Sequence, residues 1–295
     1  MSDAGALALR FARSTPVYRL LLGVPVLGAT VVLAAIVVAP GGDRAYLVAA
    51  ALVAAAAGLS ASSIGVFGGV LVPGLLLLGV EPRVAAPLSL LLQVIVIPLG
   101  ATSHAAVGNV QRSITVPLIA GGVVGSVAGA LLSSTVPSAL ASQAVGMVIV
   151  LVGLIVLATL RTGYAGGYID HEEIHSARIG GIGTVAGFAS GISGAGWGPI
   201  GVKLLILARI DPRHAIGSSL VGRVAMAVAA IVTYALARGG VAFEPRLFVV
   251  LLAASATAMM PGTVLIGRLG RRRAAGAVAI LSIALALPSI LSGGR

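Results

Sequence analysis

Two cationic residues lie within otherwise apolar stretches of this 295-residue sequence. Lys203 is followed by Leu-Leu-Ile-Leu, and Arg223 lies between Ser-Ser-Leu-Val-Gly and Val-Ala-Met-Ala. A cation in the middle of a membrane-spanning helix costs about 2.5–3.5 kcal/mol on insertion scales, so it usually marks a site of function. The structural alternative is that the side chain reaches the membrane interface or packs against main-chain carbonyls. Both residues are therefore candidates for binding a negatively charged substrate.

The acidic residues are distributed differently, because none lies well inside an apolar run. A Na⁺ or H⁺ relay through a membrane usually needs a buried carboxylate. The eight carboxylates fall in loops or near chain ends, at Asp3, Asp43, Glu81, Asp170, Glu172, Glu173, Asp211 and Glu244. Cations without acids inside the apolar runs favour an anionic substrate and disfavour transport coupled to a cation.

Two segments rich in glycine and serine interrupt the apolar runs, at residues 58–69 and 187–199. Glycine and serine at this density interrupt a helix, which predicts two shorter helical pieces and a break in each segment. A helix that restarts after a break presents unbonded N–H groups and the positive end of its dipole, and both suit an anion. The alternative is that the glycines only allow close packing of helices.

The two interrupted segments belong to an internal repeat. A shift of 130 residues superimposes them without a gap and continues into a shared Pro-Arg-x-Ala motif at residues 82–85 and 212–215. Paired interruptions in two halves are the best sequence indication of a transporter binding site. Arg223 corresponds to Gln93 in this alignment, so the halves differ in charge at that position. The candidate substrate-binding residues are Ser60, Ser63, Gly68, Gln93, Ser190, Ser193, Gly196, Trp197, Gly198, Lys203, Ser219 and Arg223.

The composition is that of an integral membrane protein. It is 58% hydrophobic and 9% charged, with a mean hydropathy of +1.12, whereas a soluble domain carries roughly 25% charged residues. The net charge of +11 comes mainly from arginines in short gaps between apolar runs, which is typical of cytoplasmic loops and gives no reason to expect a nucleic-acid partner. Cysteine is absent, and no nucleotide-binding or nucleophile motif occurs, so we expect no enzyme, cofactor or metal site. His-Glu-Glu-Ile-His at 171–175 lacks the order of a zinc-protease motif and is interpreted as a solvated loop.

These patterns predict an all-α integral membrane protein with one N-terminal transmembrane helix and two inverted repeats, each starting with a Gly/Ser-broken helix hairpin. If each broken segment enters and leaves on one side, most loop arginines lie in the cytoplasm, as the positive-inside rule requires. A single crossing by each broken segment would distribute the arginines more evenly. For the first apolar run, the alternative is a cleaved signal peptide. The predicted parts are the cytoplasmic N-terminus with the first transmembrane helix (1–44), the first repeat (45–160), a cytoplasmic loop (161–177) and the second repeat (178–295).

The sequence resembles the TauE/SafE family of sulfite exporters, also called the toluene-sulfonate uptake permease group. The strongest similarity lies in Ser-Gly-Ile-Ser-Gly-Ala-Gly-Trp-Gly-Pro at 190–199 and in Asp-Pro-Arg-His-Ala-Ile-Gly-Ser-Ser at 211–219. These look like that family's second glycine-rich segment and the stretch that follows it. The first repeat is a looser match, through Gly-Val-Phe-Gly-Gly-Val-Leu-Val-Pro at 65–73.

The resemblance implies a small helical permease for sulfur-containing anions, such as sulfite or organosulfonates. We expect export, with the substrate near mid-membrane between the breaks and with Trp197 and Phe67 as symmetric gates or packing wedges. The alternatives are a permease for another small anion, such as a carboxylate, and a membrane scaffold or assembly factor that transports nothing. The expected partners are the anion and the lipid bilayer, and a homo-oligomer is left open. The expected location is the cell membrane, with the N-terminus in the cytoplasm.

Overall fold

The computed structural model describes residues 16–106, 108–137, 175–195, 197–202, 204–205, 208, 210–239 and 243–269, and isolated positions in 140–161 and 280–290. At some helical positions only the main chain is described. The described chain is helical: α1 (Pro16–Val38), α2 (Arg44–Ile64), α3 (Gly68–Leu77), α4 (Pro82–Ala106), α5 (Arg112–Thr135), α6 (Ser176–Ser193), a π-helical turn (Trp197–Val202), α7 (Pro212–Arg238) and α8 (Pro245–Leu269).

Four of the described helices, α2, α4, α5 and α7, are long and apolar enough to cross a membrane. Shorter apolar stretches occur in α1, α3 and α8. The prediction of an all-α membrane protein is confirmed. Helix boundaries follow local sequence signals: α4 and α7 begin at Pro82 and Pro212, where a missing N–H costs nothing, and α5 ends at Thr135, two residues before Pro137.

The first broken segment is a hairpin with unequal arms. With 21 residues at 1.5 Å each, α2 is about 32 Å long, whereas α3 has only 10 residues. Gly65 ends α2 in the left-handed conformation (φ 76°), and its N–H donates to the Ala61 carbonyl at 3.1 Å. The chain then reverses, because Gly74 of α3 lies against the side chain of Val53 in α2.

The break in this segment is shorter than predicted, because residues 58–64 remain helical. Ser60 does not interrupt the helix, since its hydroxyl donates to the carbonyls of Ala56 and Ala57 one turn earlier, at 2.9 and 3.0 Å. Gly58 instead lets α8 approach, and a Cβ there would overlap the main chain of Ser255. The glycine thus serves helix packing, which was the alternative for these residues.

The second broken segment is also a hairpin. Gly194 ends α6 in the left-handed conformation (φ 65°), and its N–H donates to the Ser190 carbonyl at 2.7 Å. The chain returns along α6, because a Cβ on Gly201 would lie 3.1 Å from the Cβ of Ala186. The two broken segments therefore share a tight glycine turn, but the second continues as a π-helical turn.

Contacts at both ends of the helices fit hairpins that enter and leave on one side. Arg238, at the end of α7, donates to the carbonyls of Arg83 at 2.9 Å and Ser133 at 2.7 Å. At the opposite ends, the Gln111 N–H donates to the Ser218 hydroxyl at 3.0 Å. A single crossing by each broken segment would place the members of these pairs on opposite membrane faces. The contacts thus favour the hairpin arrangement, and the inverted relation of the repeats stays a prediction, as do their boundaries.

The two halves pack reciprocally. The most extensive helix pair is α5 with α6, followed by α8 with α2, so a late helix of each half packs on the broken helix of the other. α7 packs on both α4 and α5. The hairpin tips are consequently enclosed by helices from both halves.

In the α5–α6 pair the main chains of the two helices are in direct contact. A Cβ on Gly125 would overlap the Thr184 carbonyl, and one on Gly187 would overlap the carbonyl of Gly122. The Ser126 hydroxyl also donates to the Gly187 carbonyl at 3.3 Å. Without side chains at these positions the helices approach as closely as small-residue motifs allow in membranes.

Gly187→Ala is expected to destabilise the protein by about 1–3 kcal/mol, because the added methyl must push two main chains apart. Gly181→Ala on the same helix is the matched control, since a Cβ there meets nothing within 4 Å. That change should be neutral or stabilise the helix by about 0.5–1 kcal/mol. Thermal unfolding in detergent would compare the variants, and equal melting temperatures would contradict this packing.

Candidate functional site

Arg223 lies at the centre of the site. It is in the middle of α7 and is 1% exposed. Its Nη2 donates to the carbonyl of Gly65, the residue that ends α2 at the tip of the first hairpin. Its Nε and Nη1 have no hydrogen-bond partner among the described residues. Since arginine keeps its charge in proteins, this is a buried cation with unused donors.

The main chain beside Arg223 also favours an anion. A Cβ on Gly65 would lie 3.9 Å from Nη2 of Arg223 and 3.6 Å from Cγ2 of Val202. Three residues later α3 begins at Gly68, and the first N–H groups of a helix have no acceptor within it. The positive end of the α3 dipole therefore begins three residues along the chain from the carbonyl that Arg223 holds. Among the described side chains no Asp or Glu is buried, and Arg223 is the one buried charge.

Gln93 makes the equivalent contact in the other half. Its Nε2, on α4, donates to the Gly194 carbonyl at 3.0 Å. Ser89 adds a second bond from its hydroxyl to the same oxygen, also at 3.0 Å. Gln93 and Arg223 are counterparts in the repeat, and each holds the left-handed glycine that ends the broken helix of the other half. The Gly194 carbonyl accepts from two uncharged side chains, whereas the Gly65 carbonyl accepts from one charged side chain.

The tips of the two hairpins contact each other directly, at Gly68 of the first and Gly194 of the second. A Cβ on Gly68 would overlap the Gly194 carbonyl and would lie 2.7 Å from the Cα of Ala195. Phe67 and Trp197 are both 1% exposed and pack in separate apolar clusters. The indole Nε1 of Trp197 has no partner among the described residues. The breaks are thus buried in protein, where irregular main chain is tolerated at membrane depth.

Comparison with known proteins shows the family to which this chain belongs. The sequence model of the family described as "Sulfite exporter TauE/SafE" matches residues 48–288. The chain belongs to the TauE/SafE family. "Probable membrane transporter protein YtnM" of Bacillus subtilis (strain 168) is 28% identical over 167 residues, which cover 56% of this chain and 56% of that protein. The chain therefore matches about half the length of this relative. No solved structure is significantly similar to the chain.

Membership of the TauE/SafE family agrees with the several apolar helices that the structure describes. Both broken segments fall within the matched region, which begins inside α2. The site around Arg223 and Gln93 thus lies in the part of the chain that defines the family. No group of His, Cys, Asp or Glu that could hold a metal is found in the part of the chain that the structure describes.

The predicted serine ligands of this TauE/SafE family member are buried where their side chains are described, at Ser60, Ser190, Ser193 and Ser219. The side-chain hydrogen bonds described among them go to nearby main chain. The Ser193 hydroxyl donates to the Ala189 carbonyl at 2.6 Å and accepts from the Ala195 N–H at 3.1 Å. Ser219 donates to the Ile216 carbonyl at 2.9 Å. To bind an anion, these hydroxyls would have to leave their carbonyl acceptors. Their role as ligands, like that of the buried Ser60 and Ser190, stays a prediction.

Some predicted residues lie outside the described part of the chain. They are Lys203 and Gly196, together with the side chain of Ser63 and the surroundings of Gly198, whose main chain belongs to the π-helical turn. Their roles stay predictions.

The candidate set omitted Gly65, Gly194 and Ser89, which the structure places in the site. A glycine just after a helix is a recognised termination signal, so the first two could have been found by that rule. Ser89 is aligned with Ser219 in the repeat, and only the second of the pair was selected.

Proposed function

We propose that this protein is a permease that exports small sulfur-containing oxyanions, such as sulfite or organosulfonates. The observation that carries the proposal is the buried Arg223, which holds the tip of the first hairpin at Gly65 and whose Nε and Nη1 have no partner among the described residues. A buried cation with unused donors is costly unless an anion completes it. Family membership supports a transport function, and the buried cation supports a negatively charged substrate.

The remaining donors of Arg223 suit an oxyanion. A guanidinium has five N–H groups and two edges that can each bind two oxygens. The single bond from Nη2 to the Gly65 carbonyl engages one edge and leaves the other for the substrate. Arginine is suited to such paired contacts, which lysine makes only as a point charge.

Export follows from the sign of the charge. An inside-negative membrane potential drives anions outward by about 2.3 kcal/mol per charge per 100 mV. No buried carboxylate is available in the described part of the chain to couple flux to Na⁺ or H⁺. The proposed transporter is therefore uncoupled, lies in the cell membrane and has a cytoplasmic N-terminus.

Flux into liposomes tests this proposal. With purified protein, we expect methanesulfonate or sulfite to accumulate on the positive side, with a ratio approaching about 50-fold at 100 mV for a monovalent anion. Protein-free liposomes held at the same potential are the control. Flux that ignores the potential and follows a pH gradient would contradict uncoupled export. Flux of acetate alone would instead favour the carboxylate permease, and no flux of any anion would overturn the proposal.

A further inference from the structure

Two side chains in the described part of the structure have buried N–H groups without a partner, Arg223 and Trp197. Folded proteins pair nearly all buried polar groups, so each exception needs an explanation. Arg223 is explained by the proposed anion site. The indole N–H of Trp197 can donate one hydrogen bond and accept none, so it can be completed only by an acceptor.

Trp197 borders the same part of the interior as Arg223. It begins the π-helical turn that Val202 ends, and both belong to one apolar cluster with Met226. Met226 lies one turn after Arg223 on α7. Cγ2 of Val202 is 3.6 Å from the Cβ position of Gly65, whose carbonyl accepts the bond from Arg223. Val202 thus connects the apolar cluster of Trp197 with the glycine that Arg223 holds.

The indole is held in place by main chain. A Cβ on Gly201 would lie 3.2 Å from two carbons of the Trp197 six-membered ring, so the main chain packs directly on that ring. The turn is π-helical, a form that often occurs at functional sites. A fixed ring with an unpaired N–H is preorganised to donate a hydrogen bond to a substrate that binds beside it.

We infer that the Trp197 indole N–H is a second donor to the substrate and selects oxyanions with three oxygens, such as sulfite and sulfonates, over carboxylates. This inference rests on the proposed function. The remaining edge of Arg223 binds two oxygens, which is all that a carboxylate has. A sulfonate presents a third oxygen, and the indole donates to it.

Methanesulfonate and acetate are matched probes, because they share a methyl group and a single charge and differ in the number of oxygens. Trp197→Phe removes the N–H and retains a ring. We expect it to weaken methanesulfonate binding about 10-fold, as loss of a hydrogen bond to a charged group does, and acetate binding less than about 2-fold. Calorimetry on purified protein gives both affinities, and Phe188→Leu, a half-exposed ring on α6, is the control.

The chain offers a second readout that needs no variant. Trp197 is the only tryptophan in the sequence, so indole fluorescence reports on this one position. Methanesulfonate should change the emission saturably, with the midpoint that calorimetry gives, and acetate should change it less. This measurement decides the matter if Trp197→Phe does not fold.

The outcomes separate this inference from the proposed function. If wild-type protein binds methanesulfonate but Trp197→Phe binds both probes as tightly, the indole donates to water and the inference is wrong. If the variant weakens both probes equally, Trp197 has a packing role and the inference is also wrong. In both cases the proposed permease stands. If wild-type protein binds neither anion, the proposed function itself fails.

Discussion

Replacing Arg223 by glutamine should reduce anion flux by at least about 100-fold, because the substrate loses two hydrogen bonds to a charged group, each worth about 1.5–3 kcal/mol. The fold should survive, since Gln93 occupies the equivalent position and its amide donates to the left-handed glycine at the other hairpin tip. Glutamine keeps an amide donor on α7 but is two bonds shorter than arginine, so the bond to the Gly65 carbonyl is lengthened or lost. The substitution therefore removes the charge and the paired donors, and thermal unfolding in detergent checks that the variant is folded.

Two further variants make the Arg223 experiment specific. Arg223→Lys keeps the charge without the paired donors and should lose about 10-fold, roughly one hydrogen bond to a charged group. Arg238→Gln removes an arginine of the same helix that donates to the carbonyls of Arg83 and Ser133, far along α7 from the hairpin tips. It should lower stability slightly and leave flux unchanged. If Arg223→Gln transports like wild type while remaining folded, Arg223 only fastens the hairpin.

The extent to which the sequence predicts this site depends on how local each signal is. Arg223 is visible because a charge within an apolar run is rare, and the repeat alignment leads from it to Gln93. Their acceptors, Gly65 and Gly194, lie 158 and 101 positions away along the chain. Which carbonyl a buried side chain reaches depends on how α4 and α7 pass between the two hairpins. That information lies in tertiary packing and has no local pattern in the sequence.

In the fold, too, features set by local sequence signals are predictable, whereas features set by tertiary packing are not. Prolines mark the starts of α4 and α7, because a proline restricts the main chain within one helical turn. The first break was predicted as too long, since the density of glycine and serine does not reveal that Ser60 bonds back within α2 and that Gly58 receives α8. Glycine marks both turns and helix contacts, and only the neighbouring helix distinguishes the two.

The glycines that end α2 and α6 should respond differently to the same substitution, although both are left-handed. Alanine in this conformation costs about 1–2 kcal/mol at either position. At Gly194 a Cβ would also lie 2.5 Å from the carbonyl oxygen and 2.9 Å from the Cα of Ala86, which adds about 1–3 kcal/mol. At Gly65 the nearest atoms are 3.6 and 3.9 Å away, at ordinary contact distance. Gly194→Ala should therefore cost about 2–5 kcal/mol, a large share of a total stability of about 5–15 kcal/mol.

Thermal unfolding of the two variants in detergent checks this asymmetry. We expect Gly194→Ala to melt about 10 °C below wild type, and Gly65→Ala only about 3 °C below it. The reason lies in how each tip is held. Gly194 packs directly on Ala86 and accepts two hydrogen bonds from Ser89 and Gln93, all on α4, whereas Gly65 has space and one bond from Arg223. A substrate that draws Arg223 away would thus loosen the first hairpin and leave the second one fixed. Equal losses at the two glycines would mean that both tips are equally tight and would contradict this asymmetry.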